Sequence, residues 1–184
     1  QKLDYRQVDL AGTLRRRVVD VPRLAARLGT GNITGSARVN YADDPTGHAT
    51  WQARAEQVPA AALLGPYIGD LAAVWSGSLD ATVAGGCGLA DPAVIRRSLT
   101  LVGDLAGSDG RLDLREPLGD VAQYLGDRQD LLRVTYHELR QHLDIRDGKV
   151  VLDGLRLDGR DTDWTGNGWI GLDGTIDMGL SVKF

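Results

Sequence analysis

The segment Thr175-Ile176-Asp177-Met178-Gly179-Leu180-Ser181-Val182-Lys183-Phe184 decides the fold, because apolar and polar residues alternate along it almost without exception. The apolar positions are Ile176, Met178, Leu180, Val182 and Phe184. A period of two is typical of a β-strand with one apolar face and one solvated face. The segment therefore predicts a strand in a sheet whose apolar face needs a covering partner or a ligand.

Three earlier segments show the same alternation less strictly: Tyr136–Arg146, Lys149–Asp158 and Trp164–Leu172. Asp147-Gly148 and Asp173-Gly174 lie between these runs. Asp-Gly is a strong hairpin signal, because glycine adopts the positive φ that a tight turn requires. The C-terminal part of the chain is therefore predicted to be an antiparallel meander.

Upstream of the meander, alternation and turn residues predict more strands. The predicted strand Leu14–Val21 is expected to end at Pro22, and Ser108-Asp109-Gly110 is interpreted as a turn. The predicted strands are Leu3–Leu10, Leu14–Val21 after a break at Gly12, Asn32–Tyr41, His48–Ala55, Leu79–Val83, Leu99–Leu105 and Gly110–Leu114.

A different period predicts three or four short helices packed on or across the sheet. Apolar residues at spacings of three and four favour a helix over Pro59–Trp75. Asp91-Pro92 is a typical helix start, and Pro117–Gly126 and Asp127–Val134 are further helical predictions. The predicted fold class is mainly β, an antiparallel curved sheet with these helices against it.

The composition restricts the class of protein. The 184 residues fit a single domain, 1–184, and the absence of an initiator methionine suggests a fragment of a longer chain. The net charge of −4 disfavours a nucleic-acid partner, which usually requires a basic domain. Arg15-Arg16-Arg17 is predicted to be a solvated strand face rather than a patch for nucleic acid or anionic lipid.

Catalytic and metal-binding patterns are missing from the sequence. His48, His137, His142 and Cys87 lack the spacing of metal ligands, and no G-x-S-x-G motif occurs. Gly85-Gly86-Cys87-Gly88 lacks the lysine of a phosphate-binding loop. The sequence therefore predicts no enzyme activity, no metal and no cofactor.

A family resemblance rests on several strand and turn pieces in a fixed order. They are Leu99-Thr100-Leu101, then Ser108 to Leu114, then Thr135-Tyr136 with Leu139, Leu143, Ile145 and Asp147-Gly148, then Leu155 and Leu157, then Gly166-x-Gly168-x-Ile170-Gly171-Leu172. In this order and spacing, the segment from about Leu79 to Phe184 resembles the C-terminal region of the AsmA-like family of bacterial envelope proteins. The part from Leu3 to Ala73 resembles the strand-rich body of that family more loosely.

The resemblance implies an open β-groove lined by apolar residues, related to bridge-like lipid-transfer proteins. It implies a periplasmic protein, tethered to the inner membrane by an N-terminal anchor outside this chain, that binds phospholipid or another acyl-chain lipid. The parent protein would face both membrane surfaces and transport lipid between them. The candidate groove residues are Ile33, Ala37, Val39, Tyr41, Trp51, Leu143, Ile145, Ile170, Leu172, Ile176, Met178, Leu180, Val182 and Phe184.

Two other interpretations remain open at this stage. The apolar stripe could be the core of a closed β-sandwich or of a helix-capped sheet. The domain could also be a structural or assembly module that supports outer-membrane protein assembly or envelope integrity without handling lipid.

Overall fold

The computed structural model describes residues 5–63, 75–113, 132–159, 162–172 and 175–183. Within these ranges, helix α1 comprises residues 60–63 and helix α2 comprises Pro92–Ser98. The strands are β1 Tyr5–Arg15, β2 Val18–Leu28, β3 Gly31–Asn40, β4 His48–Pro59, β5 Trp75–Gly88, β6 Thr100–Asp113, β7 Arg133–Arg146, β8 Lys149–Gly159, β9 Asp163–Gly171 and β10 Ile176–Lys183.

All ten strands form one sheet in sequence order, from β1 to β10. Every neighbouring pair is antiparallel. Each strand therefore pairs with the strand before it and the strand after it in the chain, which is a simple meander. β1 and β10 are the two edges, so the prediction of a mainly β, antiparallel sheet is confirmed and the sheet is open.

The predicted strand boundaries are wrong at the N-terminus. Gly12 lies inside β1, and the chain turns at Arg16 and Arg17 instead. Pro22 lies inside β2, where the pairing with β3 shifts between Val21 and Leu24. An interior strand accepts proline at such a bulge, because no ladder hydrogen bond is needed from it there.

Asp109-Gly110 is a bulge inside β6 and not the predicted turn. Asp109 has a φ of 48°, and the pairing of β5 with β6 shifts beside it, between Ser76 and Ser78. Gly77 on β5 has a φ of 116°, and Gln57 on β4 has a φ of 53°. Three neighbouring strands therefore carry irregularities within a few residues of one another, and such irregularities bend a sheet and increase its twist.

The helix predictions have mixed outcomes. The turn at Asp91-Pro92 is confirmed as α2, since the Asp91 carboxylate accepts hydrogen bonds from the Ala93 and Val94 amides at 2.7 and 2.9 Å. Of Pro59–Trp75, residues 60–63 are helical, Trp75 begins β5, and 64–74 lie outside the described residues. The predicted helix Pro117–Gly126 and residues 127–131 of the predicted helix Asp127–Val134 also lie outside the described residues. The second of these helix predictions is wrong from Arg133, where β7 begins.

The well-packed core lies at the end of the sheet where β4 passes into α1. Its largest cluster of buried residues contains Ala60, Leu79, Leu105, Val134, Tyr136, Leu139 and Leu157. A second, smaller cluster joins Leu28, Ala55 and Val58. Leu63 of α1 packs against both clusters, so the helix covers the apolar side of the sheet at this end.

Candidate functional site: the apolar face of the sheet

Strand register places one continuous set of apolar residues on the same side of the sheet. Residues directly opposite each other in an antiparallel pair share a face, so the pairs can be followed from strand to strand. One such row runs Val21, Ala37, Trp51, Gly85, Leu101, Ile145, Val150 and Ile170. We call this side of the sheet the apolar face.

A parallel row lies one step further toward the buried core. It runs Leu24, Gly35, Ala53, Val83, Gly103, Leu143, Leu152, Gly168 and Met178. Over β3 to β6 this row holds Gly35, Ala53, Val83 and Gly103, and large side chains are missing from it. The middle of the apolar face is therefore a lane of small residues flanked by leucine, isoleucine and tryptophan.

The glycines of this face are places where neighbouring backbones approach closely. A Cβ on Gly103 would collide with the Thr82 carbonyl oxygen, and one on Gly168 would collide with the Asp177 carbonyl oxygen. A Cβ on Gly35 would lie 2.5 Å from the Gln52 carbonyl oxygen. By contrast, a Cβ on Gly179, on the opposite face of β10, would have its nearest atom at 4.0 Å. Only glycine allows this close approach on the apolar face.

Most of the predicted groove residues share the apolar face, and most of them are half-buried. On this face the register places Ile33, Ala37, Val39, Trp51, Leu143, Ile145, Ile170, Met178, Leu180 and Val182. Ile176 pairs with Ile170 through its backbone, and Phe184 lies outside the described residues. Tyr41 and Leu172 lie just beyond the ends of β3 and β9, so they are not part of the ladder.

Several residues of this face were missing from the sequence prediction. Bulges and glycines interrupt the strict alternation of the strands that carry these residues. The alternation of Val83, Gly85 and Cys87 on β5 could still have indicated the apolar face. The missed residues are Val19, Val21, Leu24, Val83, Leu101, Leu105, Val150, Leu152 and Leu155.

One polar side chain, Gln141, interrupts the apolar face. Its side chain is only 5% exposed, and it pairs with Leu105 between Leu139 and Leu143. Its amide nitrogen donates to the carbonyl oxygens of His142 and Asp153, beside the bulge of β8. Its Oε1 has no hydrogen-bond partner among the described residues. Gln141 therefore satisfies backbone carbonyls where the ladder is irregular.

The opposite face of the sheet is polar and charged. Arg54–Glu56, Arg140–Glu138 and Arg156–Asp158 form ion pairs on it at 2.8, 2.6 and 2.7 Å. A shallow open depression of about 480 Å³ is lined by Thr34, Thr82 and Asp104 of this side, and also by the lane residues Gly35, Ala53, Val83 and Gly103.

The histidines and the cysteine do not form a reactive cluster. His142 and His137 contact Asp104 and Asp109 at 2.8 and 3.4 Å across β6 and β7, on exposed sites. Cys87 is buried as a free thiol, and burial raises its pKa because the thiolate is disfavoured away from water. Among the residues that the structure describes, no His, Cys, Asp or Glu group could hold a metal ion.

The fold and this surface define a class of protein, an open antiparallel β-meander with one continuous apolar face. No family model, no curated protein and no solved structure matches the chain. None of the helices within the described ranges is long and apolar enough to cross a membrane.

Proposed function

We propose that the apolar face binds the acyl chains of phospholipid, and that the protein helps to transport lipid between the inner and outer membranes of a bacterial envelope. The observation that carries this proposal is the row without polar side chains that runs across the apolar face from Leu24 on β2 to Met178 on β10. Hydrocarbon is favoured against such a surface by about 0.8 kcal/mol for each buried methylene group.

The shape of a groove is part of the same proposal. Bulges in neighbouring strands and glycines that admit close backbone approach are the usual means of curving a sheet. In this chain the crowded glycines Gly35, Gly85 and Gly103 all lie on the apolar face. This arrangement supports a curved sheet that carries the lane of small residues on its apolar side.

The lane of small residues is the proposed seat of an acyl chain. The Trp51 indole lies over Gly85, since a Cβ on Gly85 would be 3.0 Å from its ring. Beside it, Ala53 pairs with Gly35 and Val83. A hydrocarbon chain lying over these residues would fill space that no side chain of this row occupies.

The proposal is tested by filling the lane in the Ala53→Trp variant. We expect it to remain folded and to co-purify with about ten times less phospholipid than wild type, because the indole takes the place of the acyl chain. The matched control is Gln52→Trp, one residue away on the polar face, which should retain the wild-type amount. Lipid extraction and native mass spectrometry measure both. Equal amounts of co-purified phospholipid in Ala53→Trp and wild type would refute binding of an acyl chain in the lane.

The second candidate function is a structural module that assembles through its sheet edges. It is favoured by exposed apolar residues on β1 and β10, namely Val8, Leu10, Leu14 and Leu180. An open edge strand offers unpaired backbone groups to another strand. A folded protein that carries no lipid but pairs through these edges would favour this candidate over lipid transport.

A further inference from the structure

The β1–β2 hairpin ends in a tip, Leu14 to Arg17, that is unlike an ordinary solvated turn. Arg15 pairs with Val18, so Arg16 and Arg17 alone form the two-residue turn. Their φ values are 47° and 65°, in the left-handed region that disfavours residues with a side chain. Asn-Gly is the usual occupant of such a turn. Two arginines at this position cost stability, and such strain tends to occur at functional sites.

The charges of the tip are not used within the described part of the chain. Arg15, Arg16 and Arg17 are exposed, and no ion pair links them to a described carboxylate. Six other arginines, Arg23, Arg54, Arg133, Arg140, Arg146 and Arg156, each pair with an acidic side chain. Arg27, Arg38, Arg96, Arg97 and Arg111 form no ion pair with a described carboxylate either, so the tip is distinguished by three such arginines in succession. The arginine run is solvated as predicted, but the predicted strand face is wrong for Arg16 and Arg17, because these two residues form the turn.

Asp20 lies opposite Thr13 near the tip and forms no ion pair with a described arginine, whereas Asp43 and Asp44 of a neighbouring loop are engaged within that loop. This loop follows β3, and the Tyr41 amide donates to the Arg17 carbonyl oxygen at 2.9 Å. Asp43 accepts a hydrogen bond from the Asn40 amide group at 2.6 Å. Asp44 accepts from the amide and hydroxyl of Thr46 at 2.8 and 2.7 Å.

An apolar side chain completes the tip. Leu14 is 72% exposed and lies directly before the three arginines. It pairs with Val19, whose neighbour Val39 is on the apolar face, so Leu14 continues that face to the end of the edge strand. An exposed leucine beside clustered cations is the combination that binds the interface of an anionic membrane.

We propose that the β1–β2 tip docks on the surface of an anionic phospholipid bilayer. The arginines contact lipid phosphates, and Leu14 enters the boundary between headgroups and acyl chains. We choose an anionic bilayer as the partner because three clustered cations with no described carboxylate partner favour a polyanionic surface. This docking is separate from the binding of acyl chains proposed above, and either can fail without the other.

The test compares sedimentation with vesicles of phosphatidylcholine alone and of phosphatidylcholine mixed with phosphatidylglycerol. Wild type should bind the anionic vesicles and release them as salt is raised. The variant Arg15→Gln/Arg16→Asn/Arg17→Gly should bind them about 100-fold more weakly, equivalent to about 3 kcal/mol at about 1 kcal/mol for each cation. Its thermal midpoint should equal or exceed that of wild type, because Asn-Gly relieves the strained turn.

The matched control is Arg27→Gln/Arg96→Gln/Arg111→Gln, which removes the same charge from exposed arginines away from the tip that form no ion pair with a described carboxylate. It should bind anionic vesicles as wild type does. The proposal is overturned if the tip variant binds as well as wild type, if the control loses as much affinity as the tip variant, or if wild type binds no vesicle. Tip-dependent binding to DNA without binding to vesicles would assign the tip to nucleic acid and also overturn it.

Discussion

Tyr136 shows how single residues hold the buried end of the sheet together. Its hydroxyl accepts a hydrogen bond from the Trp75 indole at 2.6 Å, although Trp75 is on β5 and Tyr136 on β7. The tyrosine crosses β6 at Gly110, where a Cβ would collide with the phenol. Gly110 is therefore required by a neighbouring ring as well as by the bulge beside it.

Burial of Tyr136 predicts a loss of stability at alkaline pH. Burial raises its pKa above the usual value of 10.0, and the hydrogen bond from Trp75 opposes this only in part. The unfolded chain therefore loses this proton at lower pH than the folded chain. The stabilising contribution is fully present below a pH of about 10 and is lost as the pH rises through the folded-state pKa.

We expect Tyr136→Phe to weaken this alkaline loss while costing about 1–3 kcal/mol at neutral pH, because the Trp75 indole loses its acceptor. Urea unfolding over a series of pH values measures both effects. Tyr41→Phe, on a loop outside the buried clusters, is the control for general tyrosine ionisation. An alkaline loss that is identical in Tyr136→Phe and wild type would contradict the assignment.

Glycines allow neighbouring strands of this sheet to approach closely. Gly103 on β6 faces the backbone of β5, where a Cβ would lie 2.8 Å from the Val83 Cα and closer still to the Thr82 carbonyl oxygen. Backbone atoms at that distance cannot move aside without disturbing the ladder. The close approach of β5 and β6 therefore depends on the absence of a side chain.

Gly103→Ala should destabilise the protein by about 1–3 kcal/mol in chemical denaturation, as expected for an overpacked site. Gly179→Ala on β10 is the matched control, because its added methyl group meets no atom closer than 4.0 Å. That change should stay within about 0.5 kcal/mol of wild type. Similar effects of the two substitutions would show that β5 and β6 do not approach closely.

Whether the apolar face is open or covered is a question about the whole molecule. At the end near α1 the face is buried by the helix and the core clusters. On the edge strand β10, Leu180 is 57% exposed and its side chain lies over Gly166. A closed sandwich would bury this position, so the described part of the sheet favours an open edge there.

Leu180→Asp distinguishes the two arrangements. In an open sheet the new carboxylate reaches water, so we expect a folded protein with a slightly lowered thermal midpoint and less co-purified phospholipid. In a closed core an unpaired charge would cost several kcal/mol, enough to unfold a domain of ordinary stability. Ser181→Asp on the polar face should change neither property. Calorimetry and lipid extraction test this prediction, and global unfolding of Leu180→Asp would favour the sandwich.

The strand pattern and much of the apolar face could be predicted from the sequence, because alternation is a local property of adjacent residues. The meander from Tyr136 onward, the strand after Gly31 and the capped start at Asp91 were all found in this way. Asp109-Gly110 and Pro22 were misread, since a bulge and a turn use the same residue types. Only the pairing of strands decides between the two.

The tertiary structure alone decided which residues meet. It joined Gly35, Ala53, Val83 and Gly103 into one lane, because cross-strand register depends on bulges in several strands at once. It also moved Arg16 and Arg17 from a strand face to a strained hairpin tip, where their charges meet no described carboxylate. Both results depend on contacts between distant segments, and a local pattern of residues carries no information about such contacts.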